Sequence, residues 1–192
     1  MKATSILPML LGFFATATSF AGETPSDASL IAFAQQRTNA VRMTDKPMMM
    51  SAPSAVSCYI PPAQLRVYQK QQANPSFPKD PHVAKYVHVF VSLQGAPAML
   101  TNSAAFPVGT IILKEKFSDP EGKHTELFTG MIKHEPGYNP DCGDWEFFAL
   151  SANAKKITAR GKIESCMTCH REFPESDFVT KTYISDRLMT DH

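Results

Sequence analysis

The sequence predicts an α+β domain that is mainly an antiparallel β-sheet with flanking helices. Four segments between residues 85 and 150 are apolar and rich in β-branched or aromatic side chains, and turn-forming residues separate them. Strands that short loops connect pair antiparallel, because a parallel pair needs a longer crossover. We therefore expect a sheet of about four to five strands, with helices over one side.

The chain before the sheet region has a different character. A short helix is predicted over Leu30–Arg37, whereas Met43–Pro62 contains four prolines and should be extended. Helical character returns over Pro62–Gln72. The thioethers of Met48–Met50 are of the kind that copper prefers, but consecutive side chains of an extended segment point in different directions. Packing or surface exposure is the better interpretation of these methionines.

The strands are predicted from alternation and composition. In Lys85–Ser92 three valines alternate with Tyr, His and Phe side chains, so both faces of this strand should be covered. The other strands are expected at Thr110–Phe117, Glu126–His134 and Asp144–Leu150, and a short helix at Ala96–Ala105.

A C-x-x-C-H sequence, Cys166 to His170, follows the last predicted strand and is typical of c-type haem attachment. The thiols of Cys166 and Cys169 would bond to the haem, and His170 would reach the iron as its axial ligand. The spacing suits a helical turn, because residues three and four apart lie on one side of it. A single haem c near the C-terminus is therefore expected.

Two other kinds of site share the C-x-x-C pattern, a redox dithiol and half of a zinc site. A redox dithiol has no need of a histidine directly after its second cysteine. A zinc site needs a second pair of ligands, and the chain has no other C-x-x-C and no H-x-x-x-H sequence. Haem attachment is the better interpretation.

Residues 1–21 have the features of a secretory signal peptide. Lys2 precedes the short apolar run Ile6–Phe14, and small residues surround the cleavage position after Ala21. The run is shorter than the roughly 20 residues that span a bilayer, so an uncleaved anchor is the weaker alternative. We expect a periplasmic or otherwise exported protein with no membrane span after cleavage. Residues 22–81 would then form an extended and helical segment, in one globular unit with a haem domain over 82–192.

Export also changes the interpretation of the two remaining cysteines. In an oxidising compartment Cys58 and Cys142 can form a disulfide, and closing so long a loop would stabilise the fold by about 3–5 kcal/mol. The alternative is two independent buried thiols, because the sequence does not show that these residues meet.

Charge excludes one class of partner. The chain has 19 basic and 18 acidic residues, a net charge of +1, and no basic stripe. Nucleic-acid binders concentrate positive charge on one face, so we expect no nucleic-acid partner.

Three stretches resemble the cytochrome P460 family. Phe106–Glu115 is similar to the family's F-P-x-G-[ST]-x-[IL]-x-K segment, and Gly143–Trp145 to its G-D-W strand start. Glu164–His170, followed by Asp177–Val179, resembles its haem segment with a trailing D-[YF]-V. Tyr86–Val91 lies where the family has Y-V-x-V-Y-V-N, although a serine replaces the usual asparagine.

The resemblance covers about residues 82–183 and implies a mainly antiparallel sheet, a homodimer and five-coordinate haem. It also implies a small ligand, and two functions compete. One is oxidation of hydroxylamine, as a hydroxylamine oxidoreductase that passes electrons to a soluble redox partner. The other is binding of nitric oxide or another small gas without turnover, as in the β-sheet cytochromes c′. An electron-transfer cytochrome is a further alternative.

In cytochrome P460 a lysine is bonded to the porphyrin rim, and Lys114 is the candidate that the resemblance implies. Strand alternation places Lys116 on the same face, as the second candidate. The competing interpretation is a solvated lysine on a strand edge.

The opposite side of the haem is harder to assign. Electron-transfer cytochromes close the sixth position with Met or His, whereas the resemblance implies an open position capped by apolar side chains. Phe90 and Phe106 are the expected cap. Glu115 and Asp144 are the expected proton acceptors for hydroxylamine, with a solvated carboxylate or a turn residue as the alternative.

Overall fold

The computed structural model describes residues 24–50, 86–101, 105–181, 183–185 and 188. The predicted signal peptide, the predicted helix over Pro62–Gln72 and Cys58 lie outside these residues.

The described strands form one antiparallel sheet of seven strands. Their bounds are β1 Ala40–Arg42, β2 Met48–Met49, β3 Tyr86–Ser92, β4 Ile111–Phe117, β5 Thr125–Lys133, β6 Trp145–Ser151 and β7 Ile157–Gly161. The order across the sheet is β1-β3-β4-β5-β6-β7, and β2 also pairs with β3. The α+β prediction is confirmed. Each of the four predicted strands is present, and its first and last residues differ from the predicted ones by at most one position.

The sheet is larger than the four to five strands that the sequence predicts. β1 and β2 are only three and two residues long, too short to show a periodic pattern. β7 lies at the sheet edge and its residues are exposed or half-buried, so it lacks the apolar run by which the other strands are recognised.

Three α-helices lie in the described residues: α1 Asp27–Gln36, α2 Ala96–Leu100 and α3 Glu164–His170. The side chain of Ser26 caps α1 by accepting a hydrogen bond from the Ser29 amide at 3.2 Å. α2 ends five residues earlier than the predicted helix. No helix in the described part of the chain is long and apolar enough to cross a membrane.

The two faces of the sheet carry separate cores, because side chains alternate along each strand. One face, called the α1 face here, packs Phe90, Leu113 and Phe148 against Leu30 and Ala34 of α1. The other, called the site face, packs the alternate residues of the same strands against α2 and α3. Its buried apolar strand residues are Val87, Val89, Val91, Ile112, Met131, Trp145 and Phe147. Helices therefore cover both faces, and the expectation of helices over one side is wrong, because both faces are apolar.

Candidate functional site

A cavity of about 400 Å³ opens between α3 and the site face of the sheet. Cys166, Cys169 and His170 line it from α3, and Lys114 lines it from β4. Apolar side chains make up much of the remaining wall: Ile112, Met131, Phe147, Phe173 and Tyr183. Its volume falls in the range of roughly 300–1,000 Å³ that is usual for cofactor and small-molecule sites.

α3 brings the two thiols and the imidazole to this cavity because they stand three and four residues apart on a helix. Met167, between the cysteines, is buried in the core of the site face and anchors the helix. On the outer side, Arg171 forms an ion pair with Glu164 at 2.6 Å, and Thr168 donates to the Glu164 carbonyl at 2.9 Å. These two contacts lie within the helix, and it is the buried Met167 that sets its rotation, with both cysteines and His170 facing the cavity.

The imidazole of His170 is held in one tautomer. Its Nδ1 lies 2.6 Å from the carbonyl oxygen of Phe178, and a carbonyl can only accept a hydrogen bond. Nδ1 therefore carries the proton and Nε2 keeps its lone pair, which is the form that binds a metal. Desolvation, followed by the positive charge of Lys114, lowers the pKa of His170 to about 4, so the ring is neutral at neutral pH.

A tight turn supplies that carbonyl. Pro174–Ser176 forms a short 3-10 helix, and Asp177 and Phe178 follow with left-handed backbone angles, φ 55° and φ 62°. The Phe178 amide donates to the Phe173 carbonyl at 2.7 Å. The chain thus folds back over the end of α3.

Asp177 ties this turn to the sheet. Its carboxylate accepts hydrogen bonds from Lys133 Nζ at 2.6 and 2.7 Å and from the Phe106 amide at 2.8 Å. Its carbonyl accepts a hydrogen bond from Trp145 Nε1 at 2.7 Å. Sequence reasoning did not assign Asp177 or Lys133 to the site. The only signal was that Asp177, Trp145 and Phe106 belong to the three separate stretches that resemble one family.

The two candidate lysines differ in position, although both lie on the site face. Lys114 lines the cavity, with Nζ 4.9 Å from the centre of the Tyr183 ring. Lys116 lies two residues further along β4, is 1% exposed, and is not part of the described cavity wall. The geometry favours Lys114 as the residue that faces a bound group.

The two predicted proton acceptors do not line the cavity. Glu115 lies on the α1 face, where it pairs with Arg37 at 3.0 Å and accepts a hydrogen bond from Thr125 at 2.8 Å. It faces away because it is one residue from Lys114 on a strand. Asp144 is a turn residue whose Oδ1 accepts hydrogen bonds from the amides of residues 137 and 139.

The two predicted capping phenylalanines also lie elsewhere. Phe90 is on the α1 face, where the Arg37 guanidinium lies 4.9 Å from its ring centre. Phe106 packs against Trp145, with ring centres 5.4 Å apart, and does not reach the cavity wall. The aromatic residues that line the cavity are Phe147, Phe173 and Tyr183, and the ring of Phe147 lies 5.1 Å from that of His170. The alternation of side chains along a strand predicts which rings are buried, but not which of the buried rings line a cavity.

The methionine segment Met48–Met50 forms another part of the cavity wall. Met50 is buried and Met49 is exposed, so consecutive side chains do point in different directions. Among the histidines, His88, His124 and His134 each hydrogen-bond to another side chain, and none lines the cavity.

The side chain of Cys142 is fully buried, and desolvation raises the pKa of its thiol to about 11. Its predicted partner Cys58 lies outside the described residues, so the disulfide stays a prediction.

The sequence was compared with models of known protein families and with curated proteins. The sequence model of the family described as cytochrome P460 matches residues 62–181, which is more than half of the chain. No curated protein matches the chain.

Proposed function

The chain belongs to the cytochrome P460 family of haem proteins, and from this premise we propose that it is an exported c-type cytochrome that oxidises hydroxylamine. One haem would be held covalently by Cys166 and Cys169, with His170 as the axial ligand of the iron. The observation that carries this proposal is the shared cavity, in which both thiols and an imidazole of fixed tautomer meet.

The residues present fit a haem. The thiols of Cys166 and Cys169 have the spacing that vinyl attachment needs, and they open onto a largely apolar space that suits a porphyrin. The Nδ1 proton of His170 is engaged by the Phe178 carbonyl, which leaves Nε2 for the metal.

Each side chain of the cavity then has a distinct task. Bound haem would supply the iron centre that binds the small ligand and exchanges electrons. The cysteines would tether and orient the group, and His170 would ligate its iron. Phe147, Met131 and Ile112 keep water from the inner wall, because their side chains are buried and apolar.

Lys114 supports the enzymatic interpretation, because it lines the cavity in which a porphyrin would lie. A bond between Nζ and a rim carbon would replace the hydrogen on each atom, with both hydrogens and their electrons passing to an oxidant of the peroxide class. We propose this bond for Lys114 and not for Lys116.

The intact mass of the purified protein, measured after chemical reduction of any disulfide, tests the bond, with Lys114→Arg and Lys116→Arg as matched variants. A mass below that of chain plus haem, restored by Lys114→Arg but not by Lys116→Arg, is the expected result. A full chain-plus-haem mass in the wild type would refute the bond.

Hydroxylamine-dependent reduction of an artificial electron acceptor tests the activity itself. Wild-type protein should reduce the acceptor, and Lys114→Arg should do so more slowly while keeping its haem. Absence of turnover in haem-loaded wild-type protein would refute the oxidation.

A second candidate function is binding of nitric oxide or a similar gas without turnover. It is favoured by the cavity wall, in which the described residues include no carboxylate to accept a proton. A nitric oxide-dependent shift of the optical spectrum, together with no hydroxylamine turnover, would select this function.

The remaining proposals rest on the family alone. A homodimer and a soluble redox partner would match the implied activity, and export would match the predicted signal peptide. Fractionation of the source cells and sedimentation of the purified protein test location and oligomeric state.

A further inference from the structure

We propose that the Lys133–Asp177 ion pair is a positioning device for His170, which fixes the Phe178 carbonyl and thereby the orientation and basicity of the imidazole. This inference rests on the proposed haem attachment, with His170 as the iron ligand. It adds two charged residues, neither of which lines the described cavity wall.

The first step is the ion pair itself. Lys133 Nζ lies 2.6 and 2.7 Å from the two carboxylate oxygens of Asp177, and 2.7 Å from the Gly143 carbonyl. The two side chains are 12% and 13% exposed. A buried charge pair with complete hydrogen bonding holds one geometry, because leaving either charge unpaired is costly.

The second step runs from Asp177 to the next peptide. The Asp177 carbonyl accepts a hydrogen bond from Trp145 Nε1, and the Phe178 amide donates to the Phe173 carbonyl at 2.7 Å. The ring of Phe178 also packs closely against Gly143, where an added Cβ would lie 2.4 Å from Phe178 Cδ2. The peptide that joins residues 177 and 178 is therefore held from several directions. The next peptide, which carries the Phe178 carbonyl, is held by the Val179 amide, which donates to the Ser176 carbonyl at 3.2 Å.

The last step is the hydrogen bond from His170 Nδ1 to the Phe178 carbonyl at 2.6 Å. A strong acceptor at Nδ1 raises the basicity of Nε2, which favours the ferric state of bound iron and lowers its reduction potential. If the ion pair is lost, the carbonyl is free to shift and this hydrogen bond weakens.

A purely structural ion pair would behave differently, and the chain offers a matched control. The Glu146 side chain is 9% exposed and accepts hydrogen bonds from Arg160 at 2.9 and 3.0 Å. It belongs to the same sheet but packs beside His134 and has no hydrogen bond to His170. Glu146→Gln removes the same charge as Asp177→Asn and an ion pair of similar burial.

The experiment compares haem-loaded wild type with Asp177→Asn, Lys133→Met, Lys133→Arg and Glu146→Gln. The readouts are the reduction potential and the ferrous iron–histidine stretching band in the resonance Raman spectrum. Asp177→Asn and Lys133→Met should raise the potential and move the band to lower frequency. Lys133→Arg, which keeps the charge, should stay near wild type.

The control variant Glu146→Gln should lower the midpoint of thermal unfolding and leave the reduction potential and the Raman band unchanged. If Asp177→Asn does not fold, the inference is tested on Lys133→Met, because the methionine side chain can still pack near Trp145. Unchanged readouts in folded Asp177→Asn and Lys133→Met, or equal shifts in Glu146→Gln, would overturn the inference.

Failure of the proposed function would look different. His170→Ala removes the iron–histidine band if His170 is the ligand. If that band persists in His170→Ala, the proposed ligand is wrong. If it disappears there but does not respond to Asp177→Asn or Lys133→Met, the ligand stands and the positioning role is refuted.

Discussion

The thiols of Cys166 and Cys169 open onto the same cavity because α3 turns them to one side, with Met167 buried behind them. A Cys166→Ala, Cys169→Ala variant should lose its covalent haem while keeping the fold, since neither thiol is part of the sheet. Extraction with acidified acetone should remove haem from the variant and leave it on the wild type. Release of haem from wild-type protein would contradict covalent attachment.

Gly130 allows β4, β5 and β6 to pack closely beneath the cavity. A Cβ at this position would lie 2.3 Å from Phe148 Cζ and 2.6 Å from the backbone oxygen of Ile112. The ring can shift but the backbone oxygen cannot do so cheaply, so Gly130→Ala should lower the free energy of unfolding by about 1–3 kcal/mol. Denaturant unfolding measures this change. An unchanged midpoint would show that the neighbouring strands accommodate the added methyl group without loss of stability.

At the scale of elements, one charged cluster fastens α1 to the far edge of the sheet. Arg160 on β7 pairs with Glu146 on β6 and with Asp27 at the start of α1, at 2.9 and 2.6 Å. His134 completes the cluster with a 2.8 Å contact to Glu146. β7, which the sequence pattern missed, thus holds the helix on the α1 face.

Removing the Arg160 guanidinium should loosen this edge. Arg160→Leu leaves Glu146 with His134 as its remaining partner in the cluster, so the free energy of unfolding should fall by about 2–3 kcal/mol. The effect is below that of a fully buried pair because the Arg160 side chain is 20% exposed. Thermal or denaturant unfolding measures it, and a change near zero would mean that the cluster is not stabilising.

The same cluster predicts a dependence on acid. Burial alone would raise the pKa of Glu146, but hydrogen bonds from Arg160 and His134 outweigh burial and lower it. A lowered pKa stabilises the fold above the ordinary value of 4.5, and this stability is lost as the pH falls through the folded-state pKa. Wild-type stability should therefore decline below about pH 4.5, and more steeply than that of Glu146→Gln. Parallel slopes for the two proteins would contradict this.

At the scale of the whole molecule, the cavity predicts the coordination state. His170 would provide one ligand of the iron, and no other histidine lines the described cavity wall. We expect high-spin, five-coordinate iron in the ferrous protein, as the family resemblance implies. Optical and resonance Raman spectra measure this. A low-spin, six-coordinate spectrum would instead indicate an electron-transfer cytochrome, and the residues to replace would then be Met131 and Met48–Met50, which line the cavity.

Local patterns in the sequence were sufficient for the four neighbouring strands β3 to β6 and for the grouping of the C-x-x-C-H residues on one helical turn. Alternation in β3 and β4 depends only on the two-residue period of a strand, and the spacing of Cys166, Cys169 and His170 depends only on the helical turn. The family resemblance is confirmed by the match to the family's sequence model. It is visible in the sequence because its motifs are contiguous strings. Each of these properties is determined by residues that are neighbours in sequence.

Tertiary structure decided which residues of each pattern meet. Glu115 and Lys114 are adjacent in sequence, yet they lie on opposite faces, and only the packing of α1 and α3 shows which face holds the cavity. Asp177 and Lys133 are separated by 44 residues, and their 2.6 Å contact exists only because the C-terminal turn folds onto β5. Periodicity assigns a side chain to a face, but the identity of its partners depends on contacts between segments that are distant in sequence.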